Sequence, residues 1–246
     1  MDARGRAHAA AHWSRDRGVL VGYSAAALHG AKWLDRKPAE IAVPGHVRAP
    51  RGVRVFRDVI PEDQVSEIDG VRCTTPARTA YDLGRRLDFD EAVETIDALC
   101  HATRLVPDAV AELVASLARA RGGTRVRNLL RYVDGGAESI PESRTRLLLQ
   151  QAGLPKPHTQ IRVIGPDGFV VARLDMGWPE WRVAVEYDGA HHWTDPAQRT
   201  WDIDRNQYLN DLGWTIIHVS AALLRTRPHH ILSRVTHALR ARGAPL

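Results

Sequence analysis

Lysine and cysteine are both scarce in this 246-residue chain. Cys73 and Cys100 are the only cysteines, too few for a disulfide scaffold or a structural zinc site, and they fit a reducing, cytoplasmic setting. No apolar run approaches the roughly eighteen residues that a membrane span requires, and the opening residues carry no signal-peptide pattern, so no membrane partner is expected. Lysine occurs only at Lys32, Lys37 and Lys156; arginine supplies the rest of the 34 cationic side chains, against 29 carboxylates. The net charge of +5 and the pI of about 9.6 suit a polyanionic partner, although a coding bias toward Ala, Arg and Gly would leave the same balance. A hydrophobic content of 44% is ordinary for a globular protein, and the length accommodates two modest domains.

What is present is concentrated between Val170 and Ser220. Phe169 to Asp175 is a short apolar run, Trp178-Pro179-Glu180-Trp181 interrupts it, and Arg182 to Tyr187 resumes it as RVAVEY. Two such runs around a proline predict a β-hairpin, with Asp175 ending the first strand and Glu186 near the end of the second. Asp188-Gly189 then stops the strand. Ala197 to Leu212 reads as a helix with Trp201, Tyr208, Leu209 and Leu212 on its apolar face, Gly213 ends it, and Trp214 to Val219 is a further strand.

A carboxylate within an apolar strand needs a compensating charge or a proton, because burying it bare costs several kcal/mol. Two readings stand for Glu186: an arginine partner, Arg173 or Arg205, or a divalent metal bound by the hard oxygens of Asp175, Glu186 and Asp188. Of His191 and His192, at most one can face such a site, where it would move a proton; a surface loop is the plainer reading of the pair. Asp202 and Arg205 lie three apart and share one side of their helix.

VEYDG, the following histidines, D-x-x-R on a helix, then L-x-x-x-G-W and an apolar strand resemble the DUF559 group. This group sits with the very-short-patch-repair-like endonucleases of the PD-(D/E)XK superfamily. The resemblance covers roughly Pro141 to Leu239. It implies a restriction-endonuclease-like, three-layer α/β (α+β) core holding Mg²⁺ or Mn²⁺ on Asp175, Glu186 and Glu142, with Asp188 as a further ligand. It also implies that His191 or His192 handles protons and that Asp202 and Arg205 form a helix pair. The superfamily lysine is replaced by Asp188, a feature of the subgroup. The bland alternative for Glu142 is a surface pair with Arg146, four residues on.

The amino-terminal half reads as helix, short strands with basic residues, then helices. A helix is expected to start at Ser24, strands at Ile41–Val43, Gly52–Arg57 and Val71–Thr74, and helices at Thr75-Pro76, over Phe89–Cys100 and over Val106–Arg121. SAAALHG, GVRVFR and VRCTTPARTAYDLGR resemble the corresponding region of AbiEi-like antitoxin and regulator proteins, which implies a winged-helix-like fold with an adjoining helical part. A winged helix would present a basic hairpin to the DNA backbone, making Arg48, Arg51, Arg54 and Arg57 phosphate contacts; solvated strand edges are the alternative. Arg119, Arg121, Arg125, Arg127 and Arg131 form the densest cationic run, either a DNA clamp near the domain boundary or a solvated helix end.

These readings divide the chain into a winged-helix-like and helical DNA-binding or regulatory domain, 1–133, and a nuclease-like domain, 134–246. The leading functional expectation is a metal-dependent DNA endonuclease of repair or defence. The alternative is an antitoxin-like or transcriptional regulator whose nuclease-type domain only binds DNA or a protein partner. A structural role within a repair or defence complex is the third.

Overall fold

A computed structural model describes residues 1–15, 17–45, 47–117, 121–189 and 196–246. The chain divides into two compact units, Met1–Gly135 and Gly136–Leu246. Both are mixed α/β, with a five-stranded sheet in the first and a four-stranded sheet in the second. Among the described residues no helix is long and apolar enough to cross a membrane.

The first unit opens with α1 (Ala3–Trp13), capped by Asp2, whose side chain accepts from the Gly5 N–H. Ala7, Ala10 and Ala11, spaced i, i+3, i+4, are buried, and their small side chains let the helix lie close on the sheet. β1 (Val19–Leu20), α2 (Gly22–Leu28), β2 (Ala39–Ala42), β3 (Val53–Phe56), β4 (Val65–Ile68) and β5 (Val71–Thr74) follow. The strands are ordered β3-β2-β1-β5-β4. β1 runs antiparallel to β2 and parallel to β5, while β2 and β3 run parallel. Leu20, Ala25, Leu28, Ile41 and Cys73 join the alanines in one core.

Two expectations are corrected here. α2 begins at Gly22 rather than Ser24: the Ser24 hydroxyl is spent on the Glu40 N–H at 2.8 Å, across to β2. GVRVFR forms an edge strand that pairs only in parallel, so it is not half of a basic hairpin; the hairpin of this unit is β4–β5.

The helical part comprises α3 (Pro76–Arg86), α4 (Phe89–Thr103), α5 (Pro107–Ser116) and α6 (Gly123–Leu130). Thr75 caps α3 through the Arg78 N–H, with Pro76 in the first turn, as the sequence suggests. Leu83, Ile96, Leu99, Val110, Val114, Val126 and Leu129 are buried. α5 stops at Ser116, short of the predicted Arg121.

The second unit contains α7 (Ile140–Gln151), β6 (His158–Ile164), β7 (Val170–Trp178), β8 (Val183–Asp188), α8 (Pro196–Asp211), β9 (Thr215–Ser220), α9 (Ala221–Thr226) and α10 (Pro228–Ala241). The order is β6-β7-β8-β9, antiparallel except for the parallel pair β8–β9. Leu149, Ile231, Val235 and Leu239, from α7 and α10, pack with Met176, Trp178, Val183 and Val185. Leu209 of α8 packs with Leu174, Ala184 and Trp214 in a second cluster. β7 does not end at Asp175 but continues to Trp178, whose buried indole N–H donates to the Pro155 carbonyl at 3.0 Å; Pro179 makes the turn.

Candidate functional site

The alternation of the unit 2 sheet breaks where its carboxylates gather. Ala172 and Leu174 belong to one core cluster, Met176 and Trp178 to the other, so β7 changes face at Asp175. The β6–β7 pairing skips the same point: Thr159 opposes Met176 and Ile161 opposes Leu174, while Gln160 between them stands at φ 52°. A left-handed backbone in a residue with a Cβ is costly and rarely adopted. Its side chain is put to use, the Gln160 amide donating to Glu142 Oε2 at 3.3 Å.

Glu142 sits in the first turn of α7, where Ser139 caps the helix. The two side chains reciprocate: the Glu142 N–H donates to Ser139 Oγ at 3.3 Å, and the Ser139 hydroxyl donates to Glu142 Oε1 at 2.7 Å. The Glu138 N–H reaches Glu142 Oε2 at 2.9 Å. A carboxylate at a helix N-terminus also meets the positive end of the helix dipole. Arg146, fully buried, donates to Gln150 at 2.8 Å.

Asp175 accepts from the Tyr187 N–H at 2.8 Å. Burial raises its pKa to about 7, and the neighbouring Glu142 and Glu186 carboxylates add to the rise against the opposing Tyr187 N–H and Arg205. Glu186 on β8 is buried and gripped in bidentate fashion by Arg205 of α8, at 2.6 Å and 3.0 Å. Of the two readings open for Glu186, the arginine partner is the one the geometry contains. Arg173, the other cationic candidate, is paired with Glu138 at 2.8 Å through both nitrogens. Asp188 pairs with His218 of β9, at 3.1 Å from Nδ1. That hydrogen bond raises the His218 pKa, burial opposing it.

His191, His192 and the Asp202 side chain lie outside the described residues. Glu142, Asp175 and Glu186 are thus brought together, while Asp188 is directed to His218. Among the described residues no group of three His, Cys, Asp or Glu side chains is arranged to hold a metal ion. A divalent ion at Glu186 would share that carboxylate with Arg205, whereas the N–H and O–H donors on Glu142 are of the kind that ligating carboxylates retain.

In unit 1, Arg48, Arg51, Arg54 and Arg57 are exposed on β3 and the segments on either side of it. Arg54 approaches Glu40 at 3.6 Å. Arg121, Arg125, Arg127 and Arg131 are exposed on or beside α6, and Arg119 lies outside the described residues. This run is no flexible linker: Val126, Leu129 and Leu130 bury one side of α6, and Arg125 donates to the Leu87 carbonyl.

Sequence reasoning missed the charge network of α3. Asp82 is fully buried among Arg78 at 3.2 Å, Arg85 at 2.8 Å and Arg86 at 3.5 Å; Arg85 also pairs with Asp58 at 2.9 Å, as does Arg86. Arg86 stacks 3.8 Å over the Phe56 ring. The spacing of Asp82 to Arg78, Arg85 and Arg86, by four, three and four residues, was the available signal. Nothing in the sequence marks Gln160, whereas His218 is the one titratable side chain within TIIHV.

Residues 18–132 match the AbiEi antitoxin C-terminal domain. Two uncharacterized proteins of Mycobacterium tuberculosis, from strains CDC 1551 / Oshkosh and ATCC 25618 / H37Rv, are each 33% identical to this chain over 223 residues. Each alignment covers 90% of this chain and 81% of the relative, so the kinship runs through both units. No solved structure matches. The antitoxin-domain match overturns the reading of the chain as a metal-dependent endonuclease; it ends at residue 132, ahead of Glu142, Asp175, Glu186, Asp188, His191, His192, Asp202 and Arg205, and does not bear on their individual roles.

Proposed function

We propose, on the premise that this chain belongs to the AbiEi antitoxin-like family through residues 18–132, that it is a DNA-binding regulatory protein of antitoxin type. The family match carries this reading. Unit 1 offers DNA the exposed Arg48, Arg51, Arg54 and Arg57 beside one sheet edge, and Arg121, Arg125, Arg127 and Arg131 around α6. Arginines dispersed along a surface suit phosphate contacts, which position a protein on a duplex without reading its sequence. Unit 2 serves as a nuclease-type scaffold in a non-catalytic role. Its central glutamate is already neutralised by Arg205, leaving the unit to support DNA contact or to hold a protein partner of a toxin–antitoxin-like pair.

Fluorescence anisotropy with a labelled duplex from upstream of the protein's own gene tests this reading, run in EDTA and again in Mg²⁺. Binding that survives EDTA and leaves the duplex uncut in Mg²⁺ is expected. Absence of binding, or Mg²⁺-dependent cutting abolished by Glu186→Gln, would overturn it.

A further inference from the structure

Two of the three lysines fall in one short stretch, Lys32-Trp33-Leu34-Asp35-Arg36-Lys37, between α2 and β2. Leu34 is buried and pins the loop, while Lys32 and Arg36 are exposed. Trp33 stands at φ 63°, a backbone region that L residues rarely adopt, and is 39% exposed. The loop therefore holds a large apolar ring partly in water between cations.

Beside it opens a cleft of about 550 Å³, lined by Arg6, Asp35, Arg36, Lys37 and Arg54 among others. Four cations face one carboxylate, and that carboxylate is occupied: Asp35 accepts from the Ala3 N–H at 2.8 Å. Arg6 is fixed by three backbone carbonyls, those of Met1, Leu34 and Lys37, at 2.6, 3.1 and 3.2 Å. Its charge is thereby placed without being neutralised by an anion. Lys37 is paired with Glu91, and Arg54 lies 3.6 Å from Glu40 at the open edge of β3. Arg36 has no ion-pair partner among the described residues.

We propose that this cleft seats a phosphate of the DNA backbone, gripped by Arg36 with Arg6, Lys37 and Arg54 around it, and that Trp33 packs on the adjoining sugar or base. The assignment rests on the DNA-binding reading above and names its point of contact. The cleft is wide and open to solvent, which lets a duplex backbone approach its cations. Guanidinium groups match the oxygens of a phosphate in pairs, and an aromatic ring set among cations is the combination by which proteins hold nucleic-acid strands.

The test measures duplex affinity of the full chain by anisotropy at several salt concentrations. The parent is compared with Arg36→Ala, Trp33→Ala and, as a control on unit 2, Arg240→Ala. Arg36→Ala is expected to weaken binding about fivefold to tenfold and to lower the slope of log K against log salt by roughly one. Trp33→Ala is expected to weaken binding with the slope unchanged, and inorganic pyrophosphate to compete better than poly-glutamate. With circular dichroism unchanged, an Arg36→Ala protein that keeps the parent's affinity and slope would sink the cleft assignment alone. Poly-glutamate binding that tracks Arg36 while DNA binding does not would reassign the cleft to an acidic protein. A parent that binds no DNA would overturn both this assignment and the reading beneath it.

Discussion

Asp175 shows how one residue can hold a cost built into the fold. Its carboxyl moves from an ordinary 3.8 to about 7 because it is buried beside Glu142 and Glu186. Between those pH values the folded chain holds a proton that the unfolded chain has released, so stability falls as pH rises from about 4 to about 7 and stays low above. Asp175→Asn keeps an oxygen for the Tyr187 N–H and removes the titration. It is expected to stabilise the chain little near pH 4 and by at most about 4 kcal/mol above pH 7. Denaturant unfolding at pH 4.5 and pH 8 checks this; an equal gain at both would refute it. The opposite case is Asp82, the anion shared by Arg78, Arg85 and Arg86. Asp82→Ala leaves those cations buried together, and a loss of about 3–5 kcal/mol is expected in thermal or chemical unfolding. A loss below 1 kcal/mol would show that water already screens the network. At His218 the Asp188 bond raises the pKa, so its stabilisation is present at low pH and lost as pH climbs through the folded value. Asp188→Asn is expected to lower the His218 pKa as read by proton NMR; an unmoved value would sever the pair.

At the scale of elements, the starts of α2, α3 and α7 show what the sequence can and cannot disclose. Thr75-Pro76 was legible, because cap and capped N–H lie within three residues; Ser139 followed by Glu142 carries the same short-range signal and went unread. α2 was misplaced because its cap comes from elsewhere: Glu40, on β2, accepts from the Tyr23 N–H at 2.9 Å. That approach dictates Gly22, which stands at φ 50° with the site of any added Cβ 2.0 Å from Glu40 Oε2. Gly22→Ala is expected to cost about 2–3 kcal/mol, through strain and through loss of the cap. Unfolding of Gly22→Ala at the parent's denaturant midpoint would show that Glu40 can move aside freely. The carboxylate site was legible in the same partial way. Asp175 and Glu186 were found by their setting in apolar strands, and Glu142 through the family resemblance alone. The Gln160 irregularity was not, because a single left-handed residue leaves no periodic trace, and the grip of Arg205 on Glu186 joins side chains 19 residues apart.

For the whole molecule, the two family resemblances carried unequal weight, and the weaker-looking one held. Short, alanine-rich fragments of the first 133 residues identified the antitoxin-like domain, whereas the ordered motifs of the second half suggested a chemistry the family match does not support. Motif order reports a scaffold, and a scaffold serves many activities. The surviving reading makes the chain's arginine-rich charge its working feature, and that has a measurable form. Each arginine–phosphate contact releases counterions and adds close to one unit to the slope of log K against log salt. Arg121, Arg127 and Arg131 are exposed around a helix held in place by Val126, Leu129 and Leu130, so replacing all three by glutamine leaves the packing intact. If α6 lies along DNA, the triple variant lowers the slope by roughly two to three, and its affinity deficit shrinks as salt is raised. If the slope is the parent's, α6 is a solvated helix and the DNA path is confined to the β3 edge and the cleft beside it.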